Sequence, residues 1–359
     1  MNNSNYSFTE IKQKAPCQYY GKCGGCNLQE VSNHGEYKFF HFKQSISQLV
    51  NDGIIHPLVQ IPINSRRRVA FKVNQKKISF NEFHSNSLIS IANCLLLQDK
   101  INDLIKPINI LLKQISIRID AVAITNSDTG LEIIFFSQNS SNLETDLALT
   151  GFAQQNNIAR IAWQVKNQIP SIIIQLNSVA LKFDQANVEL PINSFLQVSK
   201  ESIQIMNEII LKHLDKAKQI LELYSGCGSF TFSLTSKGKV TAIEGSMDAS
   251  KALEKAARSH ALPIHVINQD LFRTPCTSSF INDYSQVVIN PPRNGAAPQI
   301  KQISQANLTK KVILVSCSLE NFIRDAQILL SHNFILSDIY PIDQFLYSKH
   351  LEVIGIFKR

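Results

Sequence analysis

The sequence has no stretch of about eighteen unbroken apolar residues. Its opening, MNNSNYSFTEIKQKAP, has no apolar run that could serve as a secretion signal. Both absences argue against a membrane-spanning or exported chain, and we expect a soluble cytoplasmic protein that makes no contact with membrane. No internal repeat and no long linker interrupts the 359 residues, which excludes solenoids and tethered arrays. Nothing in it marks an obligate protein partner. Acidic residues are fewer than basic ones, 28 against 36, for a formal charge of +8. That balance suits a polyanionic partner, because Lys and Arg that neutralise phosphates release condensed counterions. Cysteines number seven. In a reducing compartment these should not form structural disulfides, so clustered thiols read as metal ligands and isolated ones as core or catalytic groups.

Length and an apolar content of 44% suggest two domains. Residues 1–185 read as an α+β domain: short β-rich runs such as RRRVAFKV, LEIIFFS and VALKFD alternate with helical stretches in QDKINDLIKPINILLKQI and around DLALTGFAQQ. The densest basic run, SRRRVAFKVNQKK, alternates from Val69 to Val73 as a strand with one buried face; RNA contact and a plain solvated edge both fit it. Residues 186–359 change rhythm. QILELY, KVTAIEG, PIHVINQ, SQVVIN and KVILVS are apolar runs, mostly followed by helix-length segments, the pattern of a Rossmann-like, mostly parallel sheet.

ILELYSGCGSFTFSL reads as strand, glycine loop and helix, with Gly226 and Gly228 letting backbone approach a ligand beside free helix N–H groups. Glu244 ends the next strand about 20 residues on, where a carboxylate can accept both ribose hydroxyls. The fourth strand ends in VVINPPRNGA. Asn290 lies at the carboxyl edge where open α/β sheets bind ligands, and Pro291 and Pro292 stiffen the backbone beyond it. A dehydrogenase has no need of that feature, whereas methyltransferases use it.

The fifth strand ends in KVILVSCSLENFIRD, which places Cys317 at the same edge before a helix whose N-terminus should stabilise a thiolate. The last strand, HLEVIGIF, carries Glu352 near the chain end. A thiol and a carboxylate fit one chemistry. Carbon 5 of uracil is a poor nucleophile until a thiolate adds at carbon 6, and after methyl transfer a base must take the carbon-5 proton so that the thiolate can leave. Cys317 is the nucleophile of this scheme and Glu352 its base.

From Cys17 to Phe357 the chain resembles the RNA (uracil-5-)-methyltransferase family. ELYSGCGSF, NPPR, VSCS and DQFLYSKHLE correspond to the family's glycine loop, its Asn/Asp-Pro-Pro-Arg element, its nucleophile segment and its C-terminal motif. The resemblance implies a class I S-adenosylmethionine-dependent fold with a seven-stranded sheet. It also implies donor contacts from Gln197, Tyr224, Glu244 and Asn290, and catalysis by Cys317 and Glu352. Two departures stand out: Ser318 and Leu319 replace the Asn-Pro of many relatives, and Leu346 and Tyr347 replace Pro and His.

Cys17, Cys23 and Cys26 are separated by five and two residues, and Cys94 follows after 67 more. Four thiolates can enclose zinc or a four-iron cluster, and the chemistry alone does not choose. A radical enzyme would need three-and-two spacing and an open iron. The resemblance favours a [4Fe–4S] cluster in the N-terminal α+β domain, as in the branch that methylates 23S ribosomal RNA. With 16 residues before Cys17, the small β-barrel RNA-binding domain of longer relatives is expected to be absent. The expected reaction is therefore 5-methyluridine formation in 23S ribosomal RNA. The same chemistry on the transfer-RNA T-loop, or a non-catalytic RNA-binding assembly factor, are the alternatives.

Overall fold

The computed structural model describes residues 8–50 and 53–359. The chain divides into two compact units. One holds Lys22–Gly24 and Pro62–Thr274; the other holds the described residues up to Gly21, those of Gly25–Ile61, and Pro275–Arg359.

In the first unit a seven-stranded sheet runs in the order Leu88–Ser90, Lys77–Asn81, Arg68–Asn74, Ala121–Asn126, Leu131–Ser137, Ile158–Val165, Ser171–Gln175. Val69 and Phe71 point into the core while Ala70 and Lys72 face solvent, the alternation expected of a half-buried strand. All neighbours are antiparallel except 131–137 and 158–165. That pair is joined through the helix Leu143–Gln155, the kind of crossover a parallel pair needs. The helix starts at Asn142, whose side chain accepts the Thr145 N–H at 2.9 Å.

The same unit contains three parallel strands, Gln219–Leu223, Lys239–Glu244 and Ile264–Asn268, paired in that order. A helix, Met247–Ser259, follows the second, and a hairpin of Ala180–Phe183 and Ala186–Glu189 precedes them. The domain boundary expected at 185 falls in that hairpin's turn.

In the second unit Gln286–Ile289 pairs in parallel with Lys311–Ser316. The last strand, Glu352–Lys358, then runs antiparallel between 311–316 and Ile335–Asp343. The strands of this region are thus mixed in direction. Val312 to Val315 and Val353 to Phe357 are buried throughout, and each such aliphatic side chain contributes about 1.5–3 kcal/mol on leaving water. Two short strands, Ile54–Ile55 and Val59–Gln60, join the outer side of 335–343. Two residues carry no periodicity, so neither was visible in the sequence.

Candidate active site

The donor-binding candidates Gln197, Tyr224 and Glu244 all lie in the first unit. Tyr224 leaves its strand with φ +60 and Gly226 follows at +58. A bulky residue in the left-handed region is uncommon and marks a backbone held by its surroundings. A Cβ on Gly226 would meet nothing within 4 Å, so the loop is open there, whereas one on Gly228 would strike Phe232 and Leu253. The two glycines therefore do different jobs: the first leaves room for a ligand and the second packs the helix. Glu244 accepts the Gly226 N–H at 2.8 Å and the Ser246 N–H at 2.7 Å. A carboxylate has further lone pairs, so it can hold the loop and still accept hydroxyls. These groups suit a nucleoside-bearing methyl donor.

Gln197 is buried, and Arg67 holds its neighbourhood. The Arg67 side chain donates from Nε to the Gln197 carbonyl at 3.2 Å, and its backbone N–H donates to Val198 at 2.9 Å. This narrows the reading of the basic run. Arg67 is 4% exposed, and Arg68 donates to Asn193 at 3.0 Å. Lys72, Lys76 and Lys77 are the basic members of the run that face solvent.

Sequence reasoning missed Glu222, which is buried on the strand before the glycine loop. Burial pushes its carboxyl up to about 8, and the charge of Glu244 adds to the shift. The period-two pattern of ILEL, with an acid among buried apolar residues, was the available signal. Cys227 and Cys276 are buried, and burial drives both thiols up to about 11, the behaviour of inert core cysteines.

Asn290, Cys317 and Glu352 all lie in the second unit. Ser316 pairs with Val353 in the antiparallel register, so Cys317 and Glu352, one step further, meet at one sheet edge. Ile289 pairs with Leu314, which brings Asn290 to that same edge. The positive charge of Arg293 pulls the Cys317 thiol downward. The loop carrying Asn290 and Arg293 is fixed by the helix Leu319–Leu330: Asn321 donates to the Arg293 carbonyl at 2.6 Å, and Asp325 accepts the Ala296 N–H at 3.0 Å.

The electrostatics overturn one expectation. The thiol of Cys317 is held above its ordinary value, by burial first and by the charge of Glu352 second, while Arg293 pulls it down. The helix N-terminus does not prevail because the thiol is half-buried beside a carboxylate. Glu352, fully buried, is pushed up to about 7 by desolvation and restrained by a hydrogen bond that Gln344 donates to Oε2. As Glu352 takes a proton, its charge ceases to oppose the thiolate.

The Ser318 departure keeps its local role. Ser318 is the N-cap of the helix after Cys317 and accepts the Asn321 N–H at 3.4 Å, as an asparagine could. Tyr347 has φ +60, and its carbonyl accepts the N–H groups of Asn27 at 2.8 Å and Leu28 at 3.0 Å.

The four thiols assigned to a cluster are all half-buried; Cys17 and Cys26 belong to the second unit, Cys23 and Cys94 to the first. Asn102 braces Cys94, accepting its N–H at 2.9 Å and donating to its carbonyl at 3.0 Å. Among the described residues, no group of three or more His, Cys, Asp or Glu side chains is arranged to hold a metal ion.

Strand, glycine loop and acidic second strand, with a sheet whose last strand is antiparallel, define an S-adenosylmethionine-dependent methyltransferase. Residues 193–322 match the family of ribosomal RNA adenine dimethylases. The fold is that of the transfer-RNA (uracil-54, C5)-methyltransferase of Pyrococcus abyssi, solved with S-adenosyl-L-homocysteine: TM-score 0.75 at 16% identity, over 93% of this chain and 85% of that one. An RNA methyltransferase of Caulobacter vibrioides is 31% identical over 96% of this chain and 85% of its own length. A 23S rRNA (uracil(1939)-C(5))-methyltransferase of Haemophilus parainfluenzae is 28% identical over 95% and 81%. The chain belongs to the RNA methyltransferases. Among the described residues no helix is long and apolar enough to cross a membrane.

Proposed function

We propose that this enzyme methylates carbon 5 of a uridine in 23S ribosomal RNA through a covalent adduct on Cys317. The observation that carries the reading is the register that sets Cys317 beside Glu352. The Haemophilus relative, alike over nearly the whole chain, supports ribosomal RNA as substrate. Gln197, Tyr224 and Glu244 would hold the donor in the first unit. When bound, S-adenosylmethionine supplies an electrophilic methyl group.

The thiol of Cys317 loses its proton to solvent and its sulfur bonds to carbon 6, leaving an enolate whose carbon 5 is nucleophilic. Arg293 stabilises the thiolate and is placed to favour its formation. Once carbon 5 is methylated, the Glu352 carboxylate takes the carbon-5 proton, the double bond re-forms, the C–S bond breaks and the thiolate is released. Glu352 must be ionised for that step, and its value of about 7 makes elimination slow below neutrality. The uridine must be in a loop or flipped from its stack, at about a few kcal/mol. A [4Fe–4S] cluster on Cys17, Cys23, Cys26 and Cys94 is a finer part of the proposal. It rests on the cysteine spacing and the resemblance, and no step above depends on it. Iron and sulfide analysis of anaerobically purified protein tests it.

The reaction is tested with methyl-labelled donor and fragments of 23S ribosomal RNA, followed by nucleoside analysis. 5-Methyluridine from ribosomal fragments is expected. Label in a transfer-RNA T-arm alone would move the substrate, and methylated adenosine would overturn the uracil assignment.

A further inference from the structure

The mechanism so far leaves unused a buried ammonium close in the fold to the proposed base. Lys38 lies on the helix His34–Ile46, on the same stripe as Phe42 and Ile46, and is 3% exposed. Its Nζ donates to Asp343 Oδ1 at 2.5 Å, to the Phe345 carbonyl at 3.0 Å and to the His350 carbonyl at 3.4 Å. All three ammonium donors are used, and the acceptors lie on residues 343–350, from the last residue of the strand Ile335–Asp343 to just before the strand Glu352–Lys358. One cation therefore ties both ends of that loop. Gln344, adjacent to one tie, donates to Glu352, which stands two residues beyond another. The loop's middle is held separately, where the N–H groups of Asn27 and Leu28 meet the Tyr347 carbonyl and the His34 ring packs 4.8 Å from the Tyr347 ring.

An ion pair at this depth is not an efficient source of stability, because its desolvation offsets most of the attraction and a well-packed apolar side chain often serves as well. Its distinctive effect is geometric, since an ammonium with three acceptors fixes the chain segments that supply them.

We propose that Lys38 is a positioning residue for Glu352, clasping the 343–350 loop so that Gln344 presents the carboxylate in the orientation that proton removal requires. The inference rests on the reading of Glu352 as the base. It assigns to the N-terminal segment a part in the second half of the reaction, separate from donor binding and from thiol attack. Loss of the clasp should slow elimination more than addition, so the methylated adduct should accumulate.

The test uses full-length protein and a 23S ribosomal RNA fragment with ordinary uridine, in single-turnover time courses. Lys38→Met should lower product release about 10²-fold, the scale of a misplaced catalytic group, while changing adduct formation by about threefold or less. Denaturing mass spectrometry should then find methylated protein–RNA adduct that wild type does not accumulate. Because Lys38→Met strands Asp343, Lys38→Met/Asp343→Asn is made alongside it. The double variant should regain the wild-type unfolding midpoint yet still accumulate adduct. Recovery of wild-type elimination in the double variant would overturn the proposal, since the stranded charge would then explain the defect. Parallel losses of adduct formation, elimination and S-adenosylhomocysteine binding would also overturn it, by showing a general structural role. Wild type with 5-fluorouridine RNA separates the two readings: no adduct there defeats the covalent mechanism and this proposal with it, whereas an adduct there with unchanged Lys38 variants defeats this proposal alone.

Discussion

Lys38 and Arg67 are comparable groups in the two units: each is a buried cation that fixes a segment carrying a candidate site residue by donating to backbone carbonyls. They differ in how completely they are satisfied. Lys38 has a buried carboxylate and two carbonyls, so every donor is used. Arg67 has a carbonyl at Nε, feels Asp128 and Glu201 at longer range, and keeps Nη2 buried without a partner among the described residues. The first arrangement suits a loop whose shape must persist through proton removal. The second leaves slack beside Gln197.

The comparison breaks most visibly when each cation is removed. Lys38→Met should cost about 3–5 kcal/mol, because it leaves Asp343 charged and buried, and most of this should return with Asp343→Asn. Arg67→Met should cost less, about 1–3 kcal/mol, as it strands a carbonyl rather than an ion. Denaturant unfolding of the three variants measures both. Arg67→Met should also raise the KM for donor about tenfold with a smaller change in kcat, as loss of uniform binding does; an unchanged KM would separate Arg67 from the donor loop.

A buried glutamate of the first unit, Glu222, sharpens the contrast. Glu222 titrates near 8 in the folded chain against a value of 4.5 for an unperturbed carboxyl. The folded state therefore keeps a proton that the unfolded state loses. The resulting penalty is absent below about pH 4.5, grows as pH rises and is complete above about 8. Glu222→Gln should match wild type in stability at low pH and exceed it by about a few kcal/mol at pH 8. A gain that did not depend on pH would contradict the assignment. The smallest effect is expected at the cap after the nucleophile, where Ser318→Ala should lose about 1 kcal/mol and Ser318→Asn almost none.

Much of the site was legible in local patterns. Strand-end residues announced themselves where an apolar run stops at a polar residue, as at Glu244, Asn290 and Cys317, and the glycine loop was read from two glycines after a strand. The juxtaposition of Cys317 with Glu352 depends on an antiparallel insertion across 35 positions, and no spacing rule contains that register. Arg67 was counted in a basic run that fitted RNA contact or a solvated edge, because charge in a sequence does not state which side chain folds inward. Lys38 left a trace, a lysine in step with Phe42 and Ile46 at helical spacing, but its three acceptors come together only in the folded chain. The direction of the thiol shift was misjudged because the dipole argument is local, whereas desolvation and the Glu352 charge come from packing.

The most direct measurement is denaturing mass spectrometry, with peptide mapping, of wild type, Cys317→Ala and Glu352→Gln after reaction with a 5-fluorouridine-substituted 23S ribosomal RNA fragment and S-adenosylmethionine. Fluorine cannot leave as a proton, so the account predicts a methylated adduct on Cys317 in wild type and in Glu352→Gln, and none in Cys317→Ala. An adduct that persists in Cys317→Ala, or methylation of ordinary uridine by that variant, would contradict it.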